Sequence, residues 1–450
     1  MDRAAADPSM LTDDPYHLAP SGGVEEVHRP SAEEMALPRA TNAVLANGAR
    51  LYVDHAHPEY SAPETVGAMD AVLWDRAGEE IARRIMKRIQ ENGDAPLVLV
   101  KNNTDGKGAS YGTHENYQIP RIVDLEDVIR VLTPFFVTRP LICGAGRVGI
   151  GQKSEHDGFQ ISQRADFVED EVGLSTTFNR PIVNTRDEPH ADPTQFRRLH
   201  VIGGDGNLFD VSDYLKIGTT SLVLWAVEQG LTLEWEGMRM HDPVVETWEV
   251  SHHPNLDYRI TLASGMKASG LDVQQMMLDF VLEAFHKTQI TPSPAEQDIL
   301  DRWQSVLDRM KKDLFSVATE VEWVAKYQLL SRQRERLQTS WADPRLKAMD
   351  LQWSDLRPDH CLVNKLDQAG RVTRLFTPQQ VAAAADLPPR GTRAWVRGRA
   401  VAELPQLVRA SWTSLVLDMP GKAGLIRKPL PDAYDGDDEV LTRIINSADL

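Results

Sequence analysis

Cysteine is almost missing: Cys143 and Cys361 are the only two in 450 residues. Two thiols make no disulfide framework, and without a CxxC pair there is no zinc-ribbon or zinc-finger pattern. Long apolar runs are missing too, since none approaches the roughly 20 residues that span a bilayer. The opening residues MDRAAADPSMLTDDP are polar and acidic and contain no apolar stretch of the signal-peptide kind. Together these absences lead us to expect a soluble protein of the reducing cytoplasm. Positive charge is also in deficit, with 49 Lys and Arg against 66 Asp and Glu, a net charge of −17. That balance repels nucleic acid and anionic membranes at long range, so neither is expected as a partner. It leaves room for an acidic ligand in a locally basic cleft.

The remaining composition is ordinary. A hydrophobic fraction of 42% and a charged fraction of 26% suit a globular protein with a sizeable core. The length favours one large domain plus a smaller one. Residues 1–41, interrupted by Pro8, Pro15, Pro20, Pro30 and Pro38, read as a polar mobile loop. Order is expected from Asn42. Asn47-Gly48 between two apolar runs is a hairpin signal. A helix follows with Trp74, Ala77, Ile81, Ile85 and Ile89 on one stripe, ended by Asn92-Gly93. LeuValLeuValLys (97–101) reads as a buried strand, 111–119 as an alternating strand and 121–132 as a helix. LeuIleCys (141–143), PheGlnIleSer (159–162), ProIleValAsn (181–184) and ArgLeuHisValIle (198–202) are further strand candidates. Helical patterns occupy 212–229, about 294–313 and 316–340, and 377–385. No internal repeat is visible. The expected fold is α+β: a mainly antiparallel sheet with helices on one side (42–371) and a small C-terminal domain (372–450).

The chemistry-bearing signal is a period-2 pattern, because side chains two apart on a strand share a face. In 49–54, Ala49, Leu51 and Val53 are assigned to the core, and Arg50, Tyr52 and Asp54 to the opposite face. In the second strand Gly112, His114 and Asn116 share a face. In the third, Leu199 and Val201 point inward, and Arg198, His200 and Ile202 outward. Placed side by side, the three strands would offer arginines for phosphate, neutral histidines and carboxylates for a divalent metal, and a spare carboxylate as base. One such strand alone is more often a wet face; three together favour a site.

After Asp54 comes HisAlaHisProGluTyr, where Pro58 predicts a turn that brings Glu59 back near the end of the same strand. Two carboxylates so spaced suit a division of labour, Glu59 on metal and Asp54 activating a water or nucleophile. ThrArgAspGluProHisAlaAsp (185–192) reads either as a phosphate- or substrate-binding loop or as a self-neutralised ion-pair loop. Gly144-Ala-Gly146-Arg-Val-Gly149 matches GxGxxG, but no helical pattern begins after it. It is therefore assigned to a glycine-rich turn and not to a dinucleotide fingerprint.

These blocks resemble a known family, the Pup ligases and Pup deamidase/depupylases, related to carboxylate–amine ligases of the glutamine synthetase type. The resemblance rests on residues 47–64, on LysAsnAsnThrAspGlyLysGlyAlaSerTyrGlyThrHisGluAsnTyr (101–117), on 184–192 and on ArgArgLeuHisValIle (197–202). It runs through essentially the whole chain from about residue 42. AspHisAlaHisProGlu is similar to the depupylase branch; the ligase branch carries one more residue before HisProGlu and lacks LysGlyAlaSerTyrGly. The resemblance implies a glutamine synthetase-like catalytic domain with a curved antiparallel sheet that uses ATP and Mg²⁺. It implies deamidation of the C-terminal glutamine of Pup and hydrolysis of the isopeptide bond between Pup and a substrate lysine, in proteasome-directed protein degradation of the actinobacterial type. Asp54 is then the catalytic carboxylate, as base or nucleophile. Tyr52, Glu59, His114 and His200 fall in the metal shell. Arg50, Ser61, Ala62, Asn116, Arg198 and Trp412 border the nucleotide. Arg186, with Arg198, is placed on the developing anionic oxygen. The partners are Pup, an acidic and largely disordered ligand, and pupylated proteins, met by a monomer. Residues 1–41 resemble the remnant of a mobile insertion.

Family members normally begin with a strand bearing Gly-x-Glu-x-Glu-aromatic-Gly, whose glutamate binds Mg²⁺. No such segment precedes Asn42 here. Two other readings stay open at this level: a Pup ligase, which runs related chemistry in the forming direction, and, because that strand is absent, a catalytically impaired Pup-binding protein.

Overall fold

The computed structural model describes residues 25–27, 42–54, 57–231, 239–422 and 424–437, with positions 439 and 442. Nearly all of 1–41, read above as a mobile loop, lies outside the described residues. The strands are β1 (Glu25–Val27), β2 (Asn42–Val44), β3 (Arg50–Asp54), β4 (His57–Ser61), β5 (Thr113–Pro120), β6 (Arg147–Ile150), β7 (His156–Gln160), β8 (Asp170–Gly173), β9 (Pro181–Asn184), β10 (Phe196–Gly204), β11 (Ile260–Thr261), β12 (Lys267–Ala268), β13 (Leu407–Ala410), β14 (Ser414–Leu417) and β15 (Leu425–Pro429). The helices are α1 (Ala68–Glu91), α2 (Leu125–Thr138), α3 (Pro140–Cys143), α4 (Asp210–Glu228), α5 (Pro243–His252), α6 (Gly270–Thr288), α7 (Pro294–Lys312), α8 (Glu322–Leu337), α9 (Pro344–Trp353), α10 (Leu362–Gln368), α11 (Pro378–Asp386) and α12 (Arg393–Glu403). The class is α+β, and every named ladder is antiparallel except β8–β9. No helix among the described residues is long and apolar enough to cross a membrane.

The chain forms two compact units. One is built from Met1–Ala82, Pro189–Thr194 and Phe376–Leu450, the other from Arg83–Glu188 and Gln195–Leu375. The first sequence segment thus groups with the C-terminal one, where a linear division near 372 would have separated them.

In the first unit the expected hairpin forms. Leu45 N donates to Ala49 O at 2.8 Å and Gly48 N to Leu45 O at 2.9 Å. Gly48 has φ +80°, and a Cβ there would lie 2.7 Å from the Ala394 carbonyl oxygen, so both the turn and the packing require glycine. β3 is paired on one edge with β2 and on the other with β4. The ladder β1-β15-β14-β13 covers a core of Val396, Ala400, Leu415, Leu417, Ile426 and Leu430. Trp74 and Ala77 of α1 pack with Ala384 and Ala385 of α11, and α11 begins with a Thr377/Gln380 capping box.

In the second unit β5 and β10 form the long ladder, with His200 opposite Asn116 and Val201 opposite Glu115. The face of β5 away from the histidines carries a buried anchor. Arg139 grips Glu115 through two bonds of 2.8 and 2.9 Å and also reaches Thr220 Oγ1 at 2.8 Å. Paired in this way, the two charges can sit in the core. The glycine-rich turn at 144–149 runs into β6, which pairs with β7. A strand follows the glycines, not a helix, as the sequence indicated.

Several local expectations fail. Residues 141–143 are the short helix α3, begun by Pro140 and closed by Gly144 N on Pro140 O at 2.7 Å. Segment 97–101 is no buried strand. Only Val100 makes a bridge, to Asp355, and Leu97 and Val98 are 38% and 44% exposed. The helix expected from 316 starts at Glu322, after a 3-10 turn at Leu314–Val317. The inferred neighbourhood of three strands is also corrected. β5 pairs with β10, but both edges of β3 are taken by β2 and β4. The face assignment needs correction as well: Val53 is 39% exposed while Arg50 is buried at 7%, and Ile202, assigned outward, is buried.

Candidate functional site

Each unit carries one group of the residues singled out above. In the first unit the β3–β4 register sets Tyr52 opposite Glu59, Arg50 opposite Ser61 and Asp54 opposite His57. Glu59 therefore does not emerge from a turn at the end of β3. It sits in a returning strand, with Pro58 inside that strand opposite Val53. Cross-strand pairing is what joins these side chains. Tyr52 Oη donates to Glu59 Oε2 at 2.6 Å, and Ser61 Oγ donates to Tyr52 Oη at 3.4 Å. Burial, then the Glu59 carboxylate, pushes the Tyr52 phenol well above its ordinary value, so it stays a donor. Asp54 closes the strand, half-buried, while Ala62 is exposed just beyond β4.

Arg50 donates through Nε to Asn42 Oδ1 at 3.3 Å and lies with Cζ 5.5 Å from the Trp412 ring centroid. Arg397 approaches the same ring at 4.7 Å. Burial lowers the Arg50 pKa; Tyr52 opposes this and Arg397 adds to it. Sequence reasoning missed what fixes this corner. Arg397 donates to Gly48 O at 3.0 and 2.7 Å and to Trp412 O at 3.1 Å. Glu64 accepts from Arg393 Nε at 2.8 Å and also pairs with Arg397 Nη2. Burial alone would raise the Glu64 carboxyl, but Arg397 and Arg393 outweigh it and hold it at about 2. Glu64 does lie in the Pro-Glu-Tyr-Ser-Ala-Pro-Glu block, but its partners are some 330 positions away.

In the second unit Asn116 Oδ1 is shared. It accepts from Arg198 Nη1 at 3.2 Å and meets His200 Nδ1 at 2.8 Å. His114 contacts the His200 ring edge-on, with centroids 4.8 Å apart. A Cβ on Gly112 would lie 2.2 Å from His114 Nε2, so glycine makes room for that ring. Burial, then His114, Arg198 and Arg186, pushes His200 down to about 3 and keeps it neutral. With Nδ1–H donated to Asn116, Nε2 keeps its lone pair for a ligand. Arg186, half-exposed, grips Glu188 Oε1 at 3.0 and 2.8 Å, and Arg198 Nη2 reaches Glu188 Oε2 at 3.5 Å. Arg121 pairs with Asp187 at 2.8 Å. The 185–188 segment is thus an ion-paired loop that carries Arg186 and holds Arg121 and Arg198 through Asp187 and Glu188.

A second residue missed from sequence is Arg164. It is 3% exposed and donates to Ser110 Oγ and, at 3.1 Å, to Ile202 O. Its Nε has no hydrogen-bond partner among the described residues. Burial, with Arg180 nearby, brings it down to about 10. The clue lay in Ser110, inside LysGlyAlaSerTyrGly. Among the described residues no three His, Cys, Asp or Glu converge on one metal position; the pairs Tyr52–Glu59 and His114–His200 are what is present.

The family described as "Pup-ligase protein" matches residues 2–416. The chain is 44% identical over 443 residues to the depupylase of Acidothermus cellulolyticus, covering 96% of this chain and 82% of the relative. It is 45% identical over 412 residues to the Pup deamidase/depupylase of Mycolicibacterium smegmatis, covering 91% and 82%. Against the Pup–protein ligase of Gordonia bronchialis the identity is 37% over 419 residues, covering 91% of each. Among solved structures, the Pup ligase PafA in complex with ADP superimposes with TM-score 0.81 at 31% identity, covering 95% of this chain and 97% of that one. The complex of PafA with the prokaryotic ubiquitin-like protein Pup gives 0.80 at 32% identity, covering 95% and 90%. The chain belongs to the Pup-ligase protein family.

Proposed function

We propose that this chain is an ATP- and Mg²⁺-dependent amide hydrolase, which deamidates the C-terminal glutamine of Pup and cleaves the isopeptide bond between Pup and lysine in pupylated proteins. The observation that carries the reading is the step in similarity, 44–45% to depupylases against 37% to a ligase. We place it in the reducing cytoplasm, where a chain whose two cysteines are both free has no need of a disulfide.

Mg²⁺ takes one or two carboxylates and completes its shell with phosphate and water, so within the first unit Glu59, oriented by Tyr52, is the donor that would hold it. Within the second unit, taken by itself, His200, neutral and with Nε2 open, and its neighbour His114 would offer nitrogen donors to a divalent ion. When bound, the ion supplies positive charge that polarises phosphate and carbonyl oxygens. Arg50 beside Trp412, and Arg198 held by Asn116, are guanidinium groups suited to phosphate.

In the hydrolysis, Asp54 is the carboxylate that accepts the proton of the attacking water as its oxygen bonds to the side-chain carbonyl carbon. The C–N bond then breaks, and the amine leaves with that proton. Arg198 and Arg186, on the second unit, are the guanidinium groups whose charge suits the anionic oxygen formed on the way. Replacing Asp54 by Asn should abolish release of a model amine from Pup and leave ATP binding nearly intact. Unchanged release removes Asp54 from this role. Accumulation of conjugate from ATP, glutamate-ended Pup and a lysine substrate would instead favour a ligase.

A further inference from the structure

The segment from Glu169 to Arg180 has no role in the chemistry above, yet it displays a surface of unusual composition. β8 is an edge strand, with Glu169, Asp170 and Glu171 all exposed. Val172 is 39%, Leu174 65% and Phe178 76% exposed. A large aromatic and a leucine held in water this way mark an interaction surface more often than a random coil tip. The loop is also built to hold them there. Asn179, at φ +47°, donates its N–H to Glu169 Oε2 at 2.7 Å, and Phe178 N donates to Ser175 Oγ at 3.3 Å. Asn184 Nδ2 donates to Ser175 O at 2.9 Å, and Thr185 N donates to Gly173 O at 2.8 Å. The last two bonds tie the loop to the strand end that leads, two residues on, into Arg186.

We infer that the β8–β9 loop is a docking surface for the folded, lysine-bearing protein to which the tag is attached. The inference rests on the isopeptidase reading above. Its basis is charge together with apolar area. The exposed Asp170 and Glu171 repel an acidic polypeptide and attract lysine side chains, and Leu174 and Phe178 add apolar area beside them. The loop adjoins the arginine segment through β9, so acidic and basic surfaces follow one another along the chain. A substrate joined through lysine has two parts of different charge character, and the acidic surface suits the lysine side.

The test compares two substrates of the same enzyme. In Leu174→Ser/Phe178→Ser, kcat/KM for cleaving a folded pupylated protein should fall about tenfold, while deamidation of free Pup stays within twofold of wild type. Asp170→Lys/Glu171→Lys should weaken conjugate cleavage in the same selective way and lessen its salt sensitivity. Binding of the conjugate and of free Pup is measured alongside turnover. If wild type cleaves neither amide, the isopeptidase reading fails, while a selective loss of conjugate binding still supports the docking surface. Equal losses for both substrates would overturn it, because the loop would then serve the tag or the fold. Unchanged behaviour toward both would also overturn it, including the case where the patch joins two copies of the chain and its loss shifts the sedimentation coefficient.

Discussion

Replacing Glu64 by glutamine removes the one negative charge shared by two buried guanidinium groups. Arg393 and Arg397 are 3% and 0% exposed in their side chains, and Glu64 retains 23%. A carboxyl held at about 2, where 4.5 is ordinary, represents about 3 kcal/mol of folding stability at neutral pH. Breaking a buried pair from one side costs 3–5 kcal/mol by general experience, which agrees in size. Above pH 4.5 Glu64 is ionised in both the folded and the unfolded chain, so the full contribution is present. As the pH falls, the unfolded chain takes up its proton first, and the contribution drains away down to about pH 2. The difference between wild type and Glu64→Gln should therefore be about 3 kcal/mol at pH 7 and shrink steadily below pH 4.5. Urea unfolding followed by hydrogen exchange in β3 and β4 measures this for the unit concerned. A difference under about 1 kcal/mol at pH 7 would refute the reasoning, as would one that stays constant down to pH 3.

Three further outcomes follow from the geometry. Gly48→Ala, with a positive φ and a backbone oxygen 2.7 Å from the new Cβ, should lose more than about 1 kcal/mol in denaturant unfolding. His200 is depressed to about 3, so the unfolded chain takes up its proton first as the pH falls from 6.5, and wild type loses stability over that window; His200→Asn should flatten it in unfolding midpoints measured across pH. Arg164→Ala, which leaves Ser110 Oγ and the Ile202 carbonyl without their donor, should lose about 1–3 kcal/mol in denaturant unfolding.

Legibility followed the range of the forces involved. β9, β10 and α4 were readable because their apolar periodicity is local, and the β2–β3 hairpin because Asn-Gly fixes its turn. Helix α3 spans four residues, too few for a period, and its cause is the single residue Pro140. β4 was hidden because Pro58 reads as a turn, whereas here it lies within a strand of the ladder. Polar pairs on one strand, such as Arg198 with His200, could be placed on a common face. Whether that face is wet or buried could not be read, since it depends on what packs over it. Asp54, Tyr52 and Glu59 were found because they lie within seven positions of each other. The Glu64–Arg393–Arg397 cluster and Arg164 depend on contacts between distant segments, which no local pattern encodes.

The first unit is assembled from three separated stretches of chain, and this has a consequence for synthesis. Asp54, Tyr52 and Glu59 leave the ribosome early, but Arg393, Arg397 and Trp412, which brace the corner beside them, come more than 300 residues later. At roughly 5–20 residues per second that interval lasts roughly 15–60 s. During it, the β3–β4 hairpin has none of its C-terminal supports. The nascent protein therefore carries its chief carboxylates long before it can fix them in place. This delay would hold back any hydrolytic activity until the C-terminal segment has been made and folded.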